Sequence, residues 1–186
     1  KEDDVLYHCG DLSFGGRDKI WEFRKRLNVK TIHLIYGNHD NHIKENKVLP
    51  NCIRQEPYSQ ILIDGNPNNF GVLEKGDGEY PNYVPAQELF TSCNDVLTVK
   101  HGKHTFFLSH YSHRIWLGSH KGIIHLYGHS HASLESQPWG KSMDVGVDNA
   151  YKLLGEYRPF SIEEIISIMD KREVKFVDNH KKETNI

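Results

Sequence analysis

The stretch TIHLIYGNHD, residues 31–40, joins a run of β-branched and aliphatic side chains directly to a polar corner. Three other stretches follow the same plan, and they are DVLYHCGD (4–11), HTFFLSHY (104–111) and GIIHLYGHSH (122–131). Short apolar runs without proline are typical of largely buried strands. Sites in layered sheet proteins form in the loops beyond the strand ends, so four strands with similar polar ends predict one shared site.

The segment between the first two predicted strands has the spacing of an amphipathic helix. In RDKIWEFRKRLNV (17–29), Ile20, Phe23 and Leu27 recur at helical intervals, which places them on one face. A helix that connects two strands of one sheet makes them parallel neighbours. The sequence therefore predicts a β-α-β unit near the start of the chain.

The last third of the chain contains further predicted elements. Residues 161–174 form a predicted helix, because Ser161 followed by Glu164 is the capping-box pattern and an apolar stripe continues behind it. Residues 142–151 are predicted as a strand and turn, and residues 173–177 as a final strand. Strands and helices that alternate along the chain predict an α/β fold.

A length of 186 residues predicts a single domain, 1–186, with a sizeable core. One stretch does not fit a regular element, because residues 64–88 are rich in Gly, Asn and Pro and lack a sustained period. A loop this long inside one domain is usually functional or unstructured. It is interpreted as a surface loop and a candidate lid over the site.

The composition limits the function classes. A formal net charge of −2 without a basic stripe argues against long duplex nucleic acid as a partner. No apolar run reaches the ~18 residues of a membrane span, so no membrane association is expected. Cys9, Cys52 and Cys93 are widely spaced, which predicts reduced thiols and a cytoplasmic location. Histidine is frequent, with 13 residues, and points to metal or proton chemistry.

The polar corners carry side chains that bind metal ions through nitrogen and oxygen. They are Asp11, Asn38, His39, Asp40, His110, His113, His129 and His131. A set of imidazole, carboxylate and amide oxygen without thiolate suits Mn, Fe, Zn or Ni. His129 and His131 are next-but-one neighbours, so in a turned backbone they can reach different ions. Two ions ~3.5–4 Å apart can clamp a phosphoryl group and generate hydroxide between them, which indicates phosphoester hydrolysis.

Four motifs, each after a predicted strand, resemble those of the calcineurin-like metallophosphoesterase superfamily, and they are GD (10–11), GNHD (37–40), SHY (109–111) and GHSH (128–131). Residues 143–165 also resemble the family's segment after its last histidine motif. The resemblance covers most of the chain and leaves 64–88 outside. It implies a two-sheet αββα sandwich and hydrolysis by a hydroxide bound to a binuclear metal centre.

The resemblance also implies site residues. The metal ligands would be Asp11, Asn38, His110, His129 and His131. Asp11 would bridge two divalent ions, most favourably Mn with Fe, Zn or Ni as alternatives. The next three ligands would join it around one ion, and His131 would serve the other. His39 would donate a proton to the leaving alkoxide, a role that needs a position near the phosphoryl group and away from the ions.

The chain departs from the family pattern at its start. The family opens with an Asp-x-His motif on its first strand, which supplies two more ligands to the ion served by His131. No such motif precedes residues 4–11. The expectation is that the natural protein carries this first strand upstream of Lys1. The alternative is a non-catalytic metal-binding interaction module, or an inactive fragment, that lacks the first metal site.

A second departure follows the GD motif. Many family members have an Asp three residues later that orients the catalytic histidine, whereas this chain has Phe14 followed by Gly15 and Gly16. The group that orients His39 is therefore left open. The pattern favours a divergent branch of predicted phosphoesterases over the protein-phosphatase branch.

The sequence indicates the substrate only in outline. A small phosphodiester or nucleotide is favoured, with phosphomonoesters as the alternative. His113 and Arg114 are candidate substrate-binding residues, because a guanidinium suits the geometry of phosphate. Asp40 is interpreted as a hydrogen-bond acceptor that organises its loop rather than as a ligand. The oligomeric state is left open.

Overall fold

The structure is a computed structural model that describes residues 3–55, 60–61 and 83–177. Within these ranges the strands are β1 Val5–His8, β2 Thr31–Ile35, β3 Val48–Gln55, β4 Gln60–Ile61, β5 Tyr83–Pro85, β6 Ser92–Asn94, β7 Val96–His101, β8 His104–Ser109, β9 Ile124–Tyr127 and β10 Ser142–Asp144. The α-helices are α1 Arg17–Arg24, α2 Asn41–Lys44, α3 Val147–Leu154 and α4 Ile162–Met169. Short 3₁₀ helices cover Ala86–Leu89, Ser119–Lys121 and Ser133–Ser136.

The strands pair in two principal sheets and one small sheet. Strands β1, β2 and β6 form a parallel sheet with β2 in the centre, and β10, β9, β8 and β7 form a mixed sheet in that order. Strand β3 pairs antiparallel with β4 and β5. Val5 is paired with Thr31 and His8 with Leu34, so β1 and β2 are parallel neighbours connected through α1. The predicted β-α-β unit is present.

The core covers both faces of the first sheet. Ile20 and Trp21 of α1 lie in the same buried cluster as Leu34 of β2. The next residue along β2, Ile35, lies in a second cluster with Leu108 of β8. This alternation follows from the two-residue period of a strand. The predicted two-sheet α/β sandwich is therefore confirmed, with α1 on one side of the first sheet and the second sheet on the other.

Helix α4 begins with the predicted capping box. The Ser161 hydroxyl accepts a hydrogen bond from the Glu164 backbone N–H at 3.2 Å, and the Glu164 carboxylate accepts one from the Ser161 N–H at 2.8 Å. Ile165 is buried in the cluster that contains Ile35. The helix ends at Met169, earlier than predicted, and residues 173–177 form no strand, so the predicted final strand is wrong.

Helix α1 is also shorter than predicted, because it ends at Arg24 rather than at residue 29. The Arg24 guanidinium donates to the Leu89 carbonyl at 2.9 Å and to the Leu27 carbonyl at 3.2 Å, and so fixes the turn that follows the helix. Phe23 is 44% exposed, although the sequence pattern placed it in the buried stripe. The apolar stripe of α1 is therefore narrower than its spacing indicates.

The predicted strand at the start of 142–151 is present as β10, but the sequence did not predict helix α3, which begins at Val147 where a turn was expected. Val147, Ala150, Tyr151 and Leu154 recur at the intervals of one helix face, so the amphipathic pattern is present in the sequence, although Val147 and Tyr151 are about half exposed. A second signal was Gly155, which follows the helix in the left-handed conformation with φ 77°. A glycine at this position marks a helix end.

The candidate lid falls mostly outside the described residues. Residues 64–82 are not among them, and residues 83–88 form β5 and the start of the 3₁₀ helix Ala86–Leu89. No helix in the described ranges is long and apolar enough to cross a membrane.

Candidate metal centre

Four strand ends meet at one edge of the sandwich. Asp11 comes shortly after β1, Asn38 after β2, His110 directly after β8, and His129 after β9. The Gly128 N–H donates to the His110 carbonyl at 3.0 Å, which joins the last two corners through the backbone. Side chains from distant parts of the sequence are thereby brought into one group.

Their ligand atoms converge on His110. Its Nε2 lies 3.0 Å from Asn38 Oδ1, 3.2 Å from His129 Nδ1 and 3.4 Å from Asp11 Oδ2. Ligand atoms of Asp11, His110 and His129 all lie within 4.8 Å of one another. His110 is buried, whereas His129 and Asn38 reach solvent. The group is therefore open on one side, as a site for an exchangeable ion and a substrate requires.

The backbone fixes the tautomer of His110. Its Nδ1 lies 2.8 Å from the Cys9 carbonyl oxygen, and because a carbonyl only accepts, Nδ1 carries the proton. Nε2 then presents a lone pair to Asn38 Oδ1, which is itself an acceptor. Two acceptors at this distance are stabilised by a cation between them. A metal-ligating histidine usually donates its other N–H in this way, so the residues present fit a divalent ion.

Glycines allow the close approach of the corners. A Cβ at Gly37 would overlap the Asp11 carboxylate, and one at Gly10 would collide with the His110 imidazole. Asp11 and His129 themselves adopt φ of 57° and 59°, in the left-handed region that costs a non-glycine residue energy. His131 has φ 47° as well, so the strain falls on three candidate ligands, and surrounding hydrogen bonds hold it in place.

Asp40 supplies some of those hydrogen bonds. Its buried carboxylate accepts from the backbone N–H groups of Asp11 at 2.7 Å, Leu12 at 2.9 Å and Gly37 at 2.9 Å. These contacts agree with the interpretation of Asp40 as a loop-organising acceptor. They connect the corner after β1 to the corner after β2.

Asp144, at the end of β10, does the same for the GHSH corner, and the sequence reasoning did not single it out. Its fully buried carboxylate accepts from the Ala132 N–H at 3.0 Å, the Gly146 N–H at 2.7 Å and the Ser130 hydroxyl. The available signal was only an Asp followed two residues later by a Gly. Only Met143 precedes Asp144 as an apolar residue, so the segment lacks the apolar run that marks the other four corners.

His131 lies apart from the converging group. Its Nδ1 is 2.6 Å from the Asp148 carboxylate, and its side chain is 73% exposed. Asp148 lies in the first turn of α3, the helix that the sequence did not predict. The group of clustered ligand atoms does not include His131. With Nδ1 engaged by the carboxylate, Nε2 is the nitrogen left for a second ion.

His39, the predicted proton donor, sits beside the converging group. Its backbone N–H donates to Asp11 Oδ1 at 2.9 Å, so its position is tied to a candidate ligand. Its ring centroid lies 4.8 Å from that of Phe14, which is 64% exposed. An aromatic side chain thus contacts the imidazole at the position where the family pattern has an orienting Asp.

Cys9 lies next to the site but does not supply a thiolate. Its side chain is buried, and burial, followed by the nearby Asp144 carboxylate, raises the pKa of the Cys9 thiol to about 12. The thiol is therefore protonated near neutral pH. The donor set consists of nitrogen and oxygen, as the corner residues indicate.

A cleft of about 380 Å³ opens beside the group, and Asn38, His110 and His113 contribute to its lining. Arg114, the other predicted substrate-binding residue, is not part of this lining. Its guanidinium lies 4.9 Å from the ring centroid of Trp139. The structure thus places His113 beside the candidate metal centre and Arg114 on an aromatic surface.

The fold and the group define an α/β sandwich protein with a nitrogen- and oxygen-lined metal site at its strand ends. Residues 1–177 match the family model for calcineurin-like phosphoesterase, so the chain belongs to the calcineurin-like phosphoesterase family. Members of this family hydrolyse phosphoesters with the help of divalent metal ions.

A solved structure, described as a protein of unknown function AQ665 from Aquifex aeolicus, is similar with a TM-score of 0.51 and 17% identity, over 90% of this chain and 77% of that chain. At this identity the likeness supports the fold alone. No curated protein sequence matches the chain.

Proposed function

We propose that the protein is a binuclear metal-dependent phosphoesterase that hydrolyses a small phosphodiester or a nucleotide. The observation that carries this proposal is the approach of His110 Nε2 to within 3.0 Å of Asn38 Oδ1 and 3.4 Å of Asp11 Oδ2. Because the His110 Nδ1 proton is committed to the Cys9 carbonyl, Nε2 is left to bind an ion together with the Asp11 carboxylate.

The residues divide between two ions. The first would be held by Asp11, Asn38, His110 and His129. His131 would serve the second, with Asp11 between the two. This donor set suits Mn first, with Fe, Zn or Ni as alternatives. When bound, two divalent ions lower the pKa of a water molecule and neutralise charge on the phosphoryl group.

His39 would act as the general acid. As water adds to phosphorus and the bond from phosphorus to the leaving oxygen breaks, the His39 imidazolium would pass its proton to that oxygen and release an alcohol. The hydrogen bond from its backbone N–H to Asp11 ties His39 to a candidate ligand, while the group of clustered ligand atoms does not include His39. Contact with Phe14 would orient the imidazole by packing instead of by a carboxylate.

Several finer features belong to the same proposal. His113 would contact the substrate from the cleft. Arg114 would have to leave the Trp139 ring to reach a phosphate, so we rank it below His113. A preference for diesters over monoesters and a cytoplasmic location are also proposed, the latter supported by three free cysteines.

Hydrolysis of two chromogenic esters tests the proposal. Protein stripped by a chelator and reloaded with Mn²⁺ should hydrolyse bis-p-nitrophenyl phosphate faster than p-nitrophenyl phosphate, with no turnover before reloading. His110→Ala should abolish turnover, whereas the exposed His101→Ala serves as the matched control. Mn²⁺ binding without turnover of either ester would overturn the proposal in favour of a non-catalytic metal-binding module.

A further inference from the structure

The cleft beside the candidate metal centre has the position and size of a substrate subsite. Its lining includes Asn38 and His110, so the cleft adjoins the candidate metal centre. A substituent of a phosphate bound at the centre could extend into it. The cleft volume of about 380 Å³ lies at the lower end of the range for pockets that bind small molecules. The chemistry of the lining then indicates what kind of group the cleft accepts.

The fixed charges of the cleft cancel. Lys44 Nζ and the Asp95 carboxylate form an ion pair, and Nζ also lies 5.4 Å from the ring centroid of Tyr36. Among the described residues, no other Lys, Arg, Asp or Glu contributes to the lining. A second phosphate group is usually bound by cations that are free to pair with it. The cleft does not offer such a cation, because Lys44 is already paired.

The cleft does offer a fixed aromatic ring and amide groups. Tyr111 is half exposed, yet its ring packs edge-on against the imidazoles of His110 and His129, with centroids 4.8 and 4.7 Å apart. Its hydroxyl donates to Asn38 Oδ1 at 3.3 Å, which fixes the ring further. A ring held in this way is a ready surface for a planar heterocycle. The Asn41 carboxamide in the lining suits the polar edge of such a group.

We propose that this cleft binds the uncharged nucleoside portion of the substrate, with the base against Tyr111, and that it disfavours a second phosphate at the same place. The inference rests on the proposed function, since it assumes that the scissile phosphate lies at the metal centre. It narrows the substrate from a small phosphodiester or nucleotide to an ester of a nucleoside phosphate.

A pair of substrates with one leaving group tests the stacking. Thymidine 5′-monophosphate p-nitrophenyl ester and methyl p-nitrophenyl phosphate differ only in the group that would enter the cleft. The nucleoside ester should have the lower KM, and Tyr111→Leu should shrink the ratio of the two KM values by roughly tenfold, the order that base stacking contributes. Because both substrates share the metal centre, the ratio cancels any effect of Tyr111 on the ligands. Tyr157→Leu, at an exposed tyrosine outside the lining, is the matched control and should leave the ratio as it is.

A binding measurement tests the charge balance. By calorimetry, thymidine monophosphate should bind the wild type more tightly than thymidine 3′,5′-bisphosphate. Asp95→Asn, which leaves Lys44 unpaired, should improve bisphosphate binding about threefold to fivefold relative to the monophosphate, a change expected for an exposed ion pair. Lys44→Met should weaken binding of the bisphosphate relative to the monophosphate. Lys103→Met, at an exposed lysine outside the lining, is the control.

The outcomes separate this inference from the function on which it rests. An unchanged KM ratio in Tyr111→Leu, or tighter wild-type binding of the bisphosphate, overturns the nucleoside subsite while Mn²⁺-dependent turnover still supports the phosphoesterase. Binding of thymidine monophosphate that Tyr111→Leu weakens, without turnover of any ester, supports the subsite and overturns the phosphoesterase.

Discussion

His39 and His131 are both exposed imidazoles, but their neighbours suit them to different tasks. His131 engages the Asp148 carboxylate at 2.6 Å, which fixes one nitrogen and points the other to solvent. His39 instead packs against the Phe14 ring, and its imidazole is not paired with a carboxylate among the described residues. Fixed orientation suits a metal ligand, and a proton donor needs access to both of its protonation states.

Removal of the His39 imidazole should therefore affect turnover and not metal content. His39→Gln is expected to lower kcat by ~10²–10⁴-fold, the usual contribution of a general acid, with Mn content by atomic absorption equal to that of the wild type. The neighbouring exposed histidine variant His42→Gln is the control. Loss of Mn together with loss of activity would assign His39 a structural role.

If His131 binds the second ion of the proposed centre, the Asp148 carboxylate should set the affinity for that ion. In Asp148→Asn the hydrogen bond to Nδ1 is weakened, and the affinity for one of two Mn²⁺ ions should fall by about 10–100-fold, as is typical when the partner of a ligating histidine is removed. Calorimetric titration of the metal-free protein measures both steps. Asp170→Asn, at an exposed aspartate after α4, is the control. Two unaltered binding steps would show that His131 does not depend on Asp148.

At the scale of elements, the ends of strands β1, β2, β9 and β10 are held by two buried aspartates. Asp40 connects the corners after β1 and β2, and Asp144 connects the GHSH corner to the start of α3. Each carboxylate receives three hydrogen bonds, which offsets the cost of burying its charge. The geometry of the ligands thus depends on groups that do not themselves reach the site.

Asp144→Asn should destabilise the fold, because the amide presents a donor where the carboxylate accepted. Hydrogen bonds to a charged acceptor contribute about 1.5–3 kcal/mol, so a loss of about 2 kcal/mol in the free energy of unfolding is expected by urea denaturation. Exposed Asp18→Asn provides the comparison and should change stability by less than about 0.5 kcal/mol. Equal stability of the two variants would contradict the role of Asp144 in holding the corner.

The sequence predicted the elements that are marked by local patterns. Four apolar runs with polar ends, the β-α-β spacing and the Ser161 capping box are each visible within about ten residues. Helix α3 was missed because Met143, Val145 and Val147 alternate as in a strand up to the first residue of the helix, and the role of Asp144 was missed because it exists only once β9 and β10 pair. The His131–Asp148 contact depends on helix α3, which carries Asp148, and on the corner that Asp144 holds, so it could not be predicted either.

At the scale of the whole molecule, the candidate metal centre draws ligands from both principal sheets. Asp11 and Asn38 follow strands of the first sheet, and His110 and His129 follow strands of the second. An ion between them cross-links the two layers only in the folded state, so binding adds to folding stability. Mn²⁺ at a hundred times its Kd should raise the free energy of unfolding by about 2.7 kcal/mol.

Thermal unfolding with Mn²⁺ or with chelator measures this effect. His110→Ala is the control, because it should bind too weakly to be stabilised at the same concentration. A wild type that binds Mn²⁺ by calorimetry yet unfolds at the same temperature with and without it would contradict a site shared by the two sheets.

Global stability should also depend on pH through His125, a fully buried core residue outside the ligand group. Burial lowers the pKa of His125 to about 4, and a hydrogen bond to the Phe107 carbonyl only partly offsets this. The unfolded chain binds the proton first, near pH 6.5. Stability from the neutral imidazole is therefore complete above pH 6.5 and is lost as pH falls towards 4, by up to about 3 kcal/mol.

Urea denaturation of metal-free protein between pH 7 and pH 4 measures this loss. The non-titrating variant His125→Asn is the reference, since the ligand histidines titrate equally in both proteins. The difference in unfolding free energy between wild type and variant should shrink as pH falls. A difference that does not change with pH would mean that a group other than His125 causes the pH dependence of stability.

One contact beneath the site bears on how such a protein can evolve. The Cys9 carbonyl accepts a hydrogen bond from the His110 imidazole at 2.8 Å. The buried Cys9 thiol stays protonated and is not one of the candidate ligands. A Cβ at Gly128 would press on that same carbonyl, at 2.9 Å. Position 9 should therefore tolerate other small apolar residues in a library of variants, whereas position 128 should accept almost nothing but glycine. The contact between the Cys9 carbonyl and His110 therefore restricts the residue at position 128, although Gly128 has no side chain that takes part in it.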